Sequence, residues 1–221
     1  PDTIRPALQI VGTEPGVKKI AGMYIMFTKR GPLFLADTTV NFNPTAEELA
    51  EITLLVAKEV KQFNIKPRIA MLSYSNFGSS DSPEANLVSK AREIIKQKDP
   101  SLICDGEVQG ILAFNKEILK ENYPFTELLN GEVNILIFPN LSAGNIAYNL
   151  LQEVGGTDSI GPILLGLNKP VHVLQLGSSI RAIFNMVLIA VVDAQTKCKT
   201  NTKEVIKKSK WWKRKKNIAQ E

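Results

Sequence analysis

The chain has 221 residues, 44% of them hydrophobic, enough to bury a full core in one large or two small domains. Its formal net charge of +5 is unevenly placed: ten basic and two acidic residues fall in 195–221, leaving the body before them slightly acidic. Cys104 and Cys198 are far apart with no CxxC, which argues against a disulfide scaffold or a thiolate metal site, and one histidine, His172, is too few for a histidine-rich zinc centre. No apolar stretch is long enough to cross a bilayer and nothing near Pro1 reads as a secretion signal. The expectation is a cytoplasmic globular unit from the interior of a longer polypeptide.

IAGMYIMF (20–27) and PLFLADTTV (32–40) have strand character and are joined by TKRG, a hairpin turn. After Pro44 the period changes. Thr45 and Glu48 form a capping box, and Leu49, Ile52, Val56, Val60 and Phe63 recur at three and four residues, which predicts a helix. RIAMLSY (68–74) predicts a strand, and Ser82-Pro83 opens a second helix with Leu87, Val88, Ala91, Ile94 and Ile95 on its inner face.

LICDGE (102–107), VNILIFP (133–139) and SIGPILLG (159–166) are short apolar runs ended by turn residues, as expected of strands buried on both faces. Between the last two, Ser142 can cap a helix carrying Ile146, Leu150 and Val154 and stopped at Gly155-Gly156. VLQLGSSIRAIF (173–184) supplies a final strand that turns at Gly177-Ser178-Ser179 into a helix reaching about Asp193. Strands alternating with helices imply an α/β fold, a mainly parallel sheet covered by helices on both sides. His172 falls in a strand-like segment and reads as a buried or edge histidine rather than a catalytic base.

Ligands of open α/β sheets settle beyond the carboxyl ends of the strands. Four loops qualify: 73–80, 105–109, 138–145 and 177–179. Their vocabulary is small hydroxyls, glycine and carboxamides, suited to phosphates or a carbonyl oxygen and equally to turns and helix caps. GxxxxGK[ST], GxGxxG and HExxH are absent, against a P-loop, a dinucleotide site or a zincin. Asp105 and Glu107 read as loop or capping acids, not a catalytic pair.

The segments RPALQIVGTEPG, ADTTVNFNPTAEELAEI, MLSYSNFGSS, DGEVQ, IFPNLSAGNIAY and IGPILLGLNKPVHVLQLGSS resemble, in order and spacing, the second half of phosphotransacetylase (phosphate acetyltransferase). The resemblance runs from Ile4 to about Gln195. It implies a phosphotransacetylase-like domain over 1–195 with a two-lobed fold related to isocitrate dehydrogenase, its first lobe incomplete. It also implies a homodimer or higher homo-oligomer, no metal site, and a cleft for acetyl-CoA and phosphate. The matching motifs place Arg5, Ser73, Ser75, Gly78, Ser79, Asn140, Gly144, Asn145, Gly177 and Ser178 at that ligand.

Acetyl transfer between a thiol and phosphate needs a base, cations and a donor to the developing charge. Where the family's loop reads Asp-Leu-Ser-Arg-Gly, this chain has Val173, Leu174, Gln175, Leu176 and Gly177, and a later family aspartate is Ala182. The catalytic positions are thus replaced by Gln175, Leu176 and Ala182. AGMYIMFTKRGPLFLADTTVNF, FNKEILKE, KPVHVLQLGSSI and VVDAQ look like one subgroup, the C-terminal domain of hybrid bacterial NADP-dependent malic enzymes. That likeness implies an acetyl-CoA-binding regulatory domain without acetyl transfer, attached to a malic-enzyme domain that alone holds NADP and a divalent metal. An active phosphate acetyltransferase and a purely structural dimerisation domain are the alternatives. Beyond the resemblance, residues 196–221 form a basic tail in which KKSKWWKRKKN can attract an anionic membrane or nucleic acid; the plainer reading is a solvated extension.

Overall fold

The computed structural model describes residues 4–174 and 177–198. Helix α1 (Ile4–Val11) leads to a hairpin of β1 (Ala21–Thr28) and β2 (Gly31–Ala36). Then follow α2 (Ala46–Gln62), β3 (Arg68–Leu72), α3 (Pro83–Lys98) and β4 (Ile103–Val108). The short helices α4 (Gly110–Ala113) and α5 (Lys116–Asn122) and a 3-10 turn (Glu127–Leu129) precede β5 (Ile135–Ile137). Helix α6 (Leu141–Gly155), β6 (Ser159–Leu165) and α7 (180–198) complete the described chain.

All six strands form one sheet in the order β4-β3-β5-β2-β1-β6. Five run the same way; β1 alone opposes its neighbours β2 and β6. The mainly parallel sheet flanked by helices is therefore the architecture. β6 is an edge strand paired antiparallel to β1, and its first three residues are only half-buried, so SIGPILLG is not buried on both faces along its length.

Period-two alternation through the central strands feeds two cores. Phe34, Ala36, Ile69, Met71, Ile135 and Ile137 face α2 and α3, while Leu35, Ala70 and Leu136 face the other side with α4, α5 and α6. α2 forms where expected. Thr45 and Glu48 close the capping box, and Leu49, Ile52, Val56 and Val60 are fully buried, each burial stabilising by roughly 1.5–3 kcal/mol. Ser82 caps α3 with Pro83 at its first position, and Val88, Ala91 and Ile95 are buried while Leu87 and Ile94 are partly so.

Two expectations change. Asn140, not Ser142, caps α6, its side chain accepting from the Ala143 N–H at 2.9 Å. The apolar residues that reveal α6 also face outward: Ile146, Leu150 and Val154 are 59%, 58% and 85% exposed, and the helix buries Gly144 and Tyr148 instead. Residues 171–174 carry no strand, so the final strand expected at 173–176 is not formed there; 175–176 lie outside the described residues, as does most of the basic tail. α7 outruns its expected end and crosses the β6 edge: Ala182 belongs with Tyr24 and Tyr148 on one face, whereas Met186 joins the core of the other. No helix among the described residues is long and apolar enough to cross a membrane. Cys104 is buried, and burial pushes its thiol up to about 12, which leaves it protonated and inert.

Candidate functional site

The parallel strands end at one sheet edge, where three of the four Ser/Gly loops meet. Glu107, at the end of β4, is 2% exposed, and a buried carboxylate must collect donors. Ser75 Oγ donates to its Oε1 at 3.0 Å and the Gly78 N–H at 2.6 Å. Ser75 Oγ also meets Ser79 Oγ at 3.0 Å, Ser79 Oγ accepts from the Asn76 N–H at 2.9 Å, and Ser73 Oγ accepts from the Ser75 N–H at 3.2 Å. The serines of MLSYSNFGSS thus fold their own loop around an internal anion. Gln109 fastens the end of β4 to the same loop by donating to the Tyr74 carbonyl. Asp105, one strand position pair earlier, is ion-paired to Arg92 at 3.1 Å and accepts from Thr126 Oγ1 at 2.7 Å. Both acids are thus engaged by neighbours within the fold.

Next to this loop, Asn140 donates to Glu84 Oε1 at 3.3 Å while capping α6. Asn145 donates to the Thr38 carbonyl at 3.4 Å. Gly144 lets α6 lie directly on the β2 end: a Cβ there would stand 2.3 Å from the Asp37 carbonyl oxygen. Asp37 itself gathers the N–H groups of Gly22, Thr39, Val40 and Asn41 and so fixes the turn after β2.

The fourth loop is elsewhere. Gly177, Ser178 and Ser179 line a cavity of about 340 Å³ with Tyr24, Tyr148, Gln152, Thr157, Asp158, Ser159, Gly161 and Ala182. This cavity lies against β1 and β6, and β4 is at the opposite side of the sheet, five strand spacings or roughly 24 Å away. The structure therefore brings Ser73, Ser75, Gly78 and Ser79 together, with Asn140, Gly144 and Asn145 beside them, and sets Gly177 and Ser178 apart. Arg5 sits exposed on α1; Gln175 and Leu176 lie outside the described residues.

At the cavity, Ser179 caps α7, its Oγ accepting from the Ala182 N–H at 3.1 Å, so the positive end of the helix dipole faces the space beside Gly177 and Ser178. Tyr24 stacks on Tyr148 with ring centroids 3.7 Å apart. Burial, and then the neighbouring Tyr148, hold the Tyr24 phenol above its usual range, so it remains a proton-bearing donor at neutral pH. Thr157 Oγ1 is buried without a partner, and Asp158 is paired with Arg181 at 3.0 Å. Such a lining offers hydroxyls, an aromatic floor and a helix N-terminus, the equipment to hold an oxygen-rich ligand. Tyr24, Tyr148, Thr157 and Gly161 were not legible as site residues, because nothing local in the sequence pairs a strand with a helix 124 residues later. The His172 side chain is largely covered, with the Leu164 N–H donating to its Nδ1 at 3.4 Å, and it is not part of this cavity's lining. Among the described residues no group of three or more His, Cys, Asp or Glu is placed to hold a metal ion.

This fold is that of a mainly parallel α/β domain, and the chain belongs to the phosphate acetyl/butaryl transferase family, whose pattern matches residues 1–191. It is 47% identical over 186 residues to the NADP-dependent malic enzyme of Haemophilus influenzae, covering 84% of this chain and 24% of that protein. It is 42% identical over 193 residues to the phosphate acetyltransferase of Bacillus subtilis, covering 87% of this chain and 59% of that one. The crystal structure of a phosphotransacetylase from Streptococcus pyogenes superposes with a TM-score of 0.83 at 42% identity, covering 88% of this chain and 60% of the other. The chain thus spans about a quarter of its malic-enzyme relatives and about three-fifths of its phosphotransacetylase relatives.

Proposed function

We propose that this chain is an acetyl-CoA-binding regulatory domain of an NADP-dependent malic enzyme, one that holds the thioester without transferring its acetyl group. The observation that carries the reading is the cavity at the start of α7. The helix N-terminus, Ser178 and the unpartnered Thr157 hydroxyl furnish donors, while Ala182 stands where the resemblance calls for an acid. Its volume suits the acyl end of the coenzyme rather than the whole molecule.

Transfer requires more than holding. A base must ionise the thiol and a cation must accept the charge that develops, and removing one such donor commonly costs two to three orders of magnitude in rate. Gln175 and Leu176 supply neither an acid nor a cation. The similarity to malic enzymes from H. influenzae and Escherichia coli supports attachment to a malic-enzyme domain, where NADP and a divalent metal belong. The apolar residues exposed on α6 and α7 support a homo-oligomeric assembly.

Regulation demands that acetyl-CoA bind two states of the assembly with different affinity. The test is malate oxidation by the complete polypeptide with and without acetyl-CoA, run beside an assay of CoA release from acetyl-CoA and phosphate. A changed malate rate with no CoA release is the expected result. Rapid acetyl phosphate formation would establish the phosphate acetyltransferase instead, and a response to neither would leave a dimerisation domain.

A further inference from the structure

The sheet edge opposite the Ser/Gly loops carries a second, larger cavity of about 640 Å³. It opens where β3 and β5 begin and the β1–β2 hairpin turns, at the amino ends of the parallel strands, so it is separate from the cavity at α7. Its floor is apolar: Pro32, Leu33, Ile65, Phe114 and Val133. Three cations, Lys29, Arg30 and Arg68, share the wall with a single acid, Glu132.

That acid is already engaged, because Lys116 binds Glu132 Oε1 at 2.5 Å and, with Arg30 and Arg68, holds its carboxyl below the usual range. Neither Arg30 nor Arg68 has an ion-pair partner among the described residues. Both guanidiniums are nevertheless positioned. Arg30 lies over the Phe114 ring at 5.5 Å and donates to the Phe114 carbonyl at 3.3 Å. Arg68 is lodged against Gly131, where any Cβ would strike the guanidinium: its Nε would be 2.1 Å away. Two planar donor forks held over an apolar floor match one ligand chemistry, a carboxylate on an apolar body.

We propose that this cavity binds an amphiphilic organic acid, its carboxylate received by Arg30 and Arg68 and its alkyl or aryl part resting on Leu33, Ile65, Phe114 and Val133. The apolar floor distinguishes such a ligand from inorganic phosphate, which finds only the cations. The forks distinguish it from a neutral alcohol of the same shape, which would leave both guanidiniums without an anion.

Isothermal titration of the full chain with 4-phenylbutanoate tests this, with inorganic phosphate and 4-phenylbutanol as the single-feature probes. The acid is expected to bind at least tenfold more tightly than either. Arg30→Gln, at an exposed hairpin turn, is expected to weaken the acid at least tenfold and leave the alcohol unchanged. Arg68→Lys keeps the charge but loses the fork and is expected to weaken it as well. Phosphate binding as tightly as the acid, an unchanged affinity in Arg30→Gln with native circular dichroism, or no saturable binding of the acid would each overturn the assignment.

Discussion

The Ser75 hydroxyl donates to Glu107 Oε1 across 3.0 Å, joining the loop after β3 to the end of β4. The Gly78 N–H reaches the same oxygen, so one buried carboxylate holds the loop at two points. Removing it strands two donors in a site with little water. Glu107→Ala is expected to destabilise the fold by about 2–4 kcal/mol in urea denaturation, since lost bonds to a charged group and the unpaired donors add. Glu107→Gln keeps an accepting oxygen and is expected to cost about half as much. Equal losses for the two would show that the charge, not the acceptor, organises the loop.

Gly144 is the point where α6 rests on the β2 end. Alanine ordinarily favours a helix over glycine by about 1 kcal/mol, yet here the added Cβ would stand 2.3 Å from the Asp37 carbonyl oxygen. Backbone cannot step aside as a side chain can, so overlap outweighs propensity. Gly144→Ala is expected to lose roughly 1–3 kcal/mol. Gly155→Ala, at the other end of the same helix, meets nothing nearer than 3.7 Å and is expected to be neutral or slightly stabilising. Thermal melts of the pair give the comparison, and a stabilised Gly144→Ala would refute the close approach.

The stability of the chain is expected to depend on pH through two partly buried groups that pull in opposite directions. Burial, and then the negative charge of Asp193, raise the Glu59 carboxyl to about 7, although Lys197 and Lys58 oppose the shift. Unfolded, it titrates near 4.5, so between these values the folded chain keeps a proton that the unfolded chain has released. Stability therefore falls as pH rises across that window, by on the order of 2–3 kcal/mol. Burial lowers His172 below its ordinary 6.5, against the pull of Asp193. The unfolded imidazole gains a proton that the folded one resists, so this group costs stability as pH falls below 6.5. Chemical denaturation from about pH 4.5 to about pH 8 is expected to show stability falling between about pH 4.5 and about pH 7, offset in part below 6.5 by His172, and levelling above that; Glu59→Gln is expected to abolish the fall and leave only the rise due to His172. A decline that survives in Glu59→Gln would assign it to another group.

How far the sequence speaks is clear from particular residues. Thr45 with Glu48, and Ser82 with Pro83, announce their helices because capping chemistry is local. The central strands are legible because both faces are buried and each run is bounded by turn residues. Ile146, Leu150 and Val154 show the limit: their spacing marks α6 correctly, but periodicity cannot tell a face turned to the chain's own core from one left for another surface. The Ser/Gly loops show a second limit. Composition suggests ligand groups at 73–79, whereas the polar atoms there are spent on Glu107, a residue about thirty positions later. The stacking of Tyr24 on Tyr148 had no signal in sequence, being a product of topology alone.

If the cavity at α7 retains the grip on a thioester and has lost only the reacting groups, restoring those groups should restore transfer. The resemblance puts serine, arginine and aspartate at the positions of Gln175, Leu176 and Ala182. Ala182 is the third residue of α7, where an aspartate is favoured by the helix dipole, and its N–H is already capped by Ser179, so this substitution costs the fold little. The triple variant Gln175→Ser, Leu176→Arg, Ala182→Asp in the complete polypeptide is expected to release CoA from acetyl-CoA and phosphate at least about a hundredfold faster than the parent, the scale on which one transition-state donor acts. The measurement is thiol release with acetyl phosphate quantified in parallel. Acetyl-CoA binding with no gain in transfer would place the deficit outside the loop, in residues that hold phosphate, and would shift attention to Arg5.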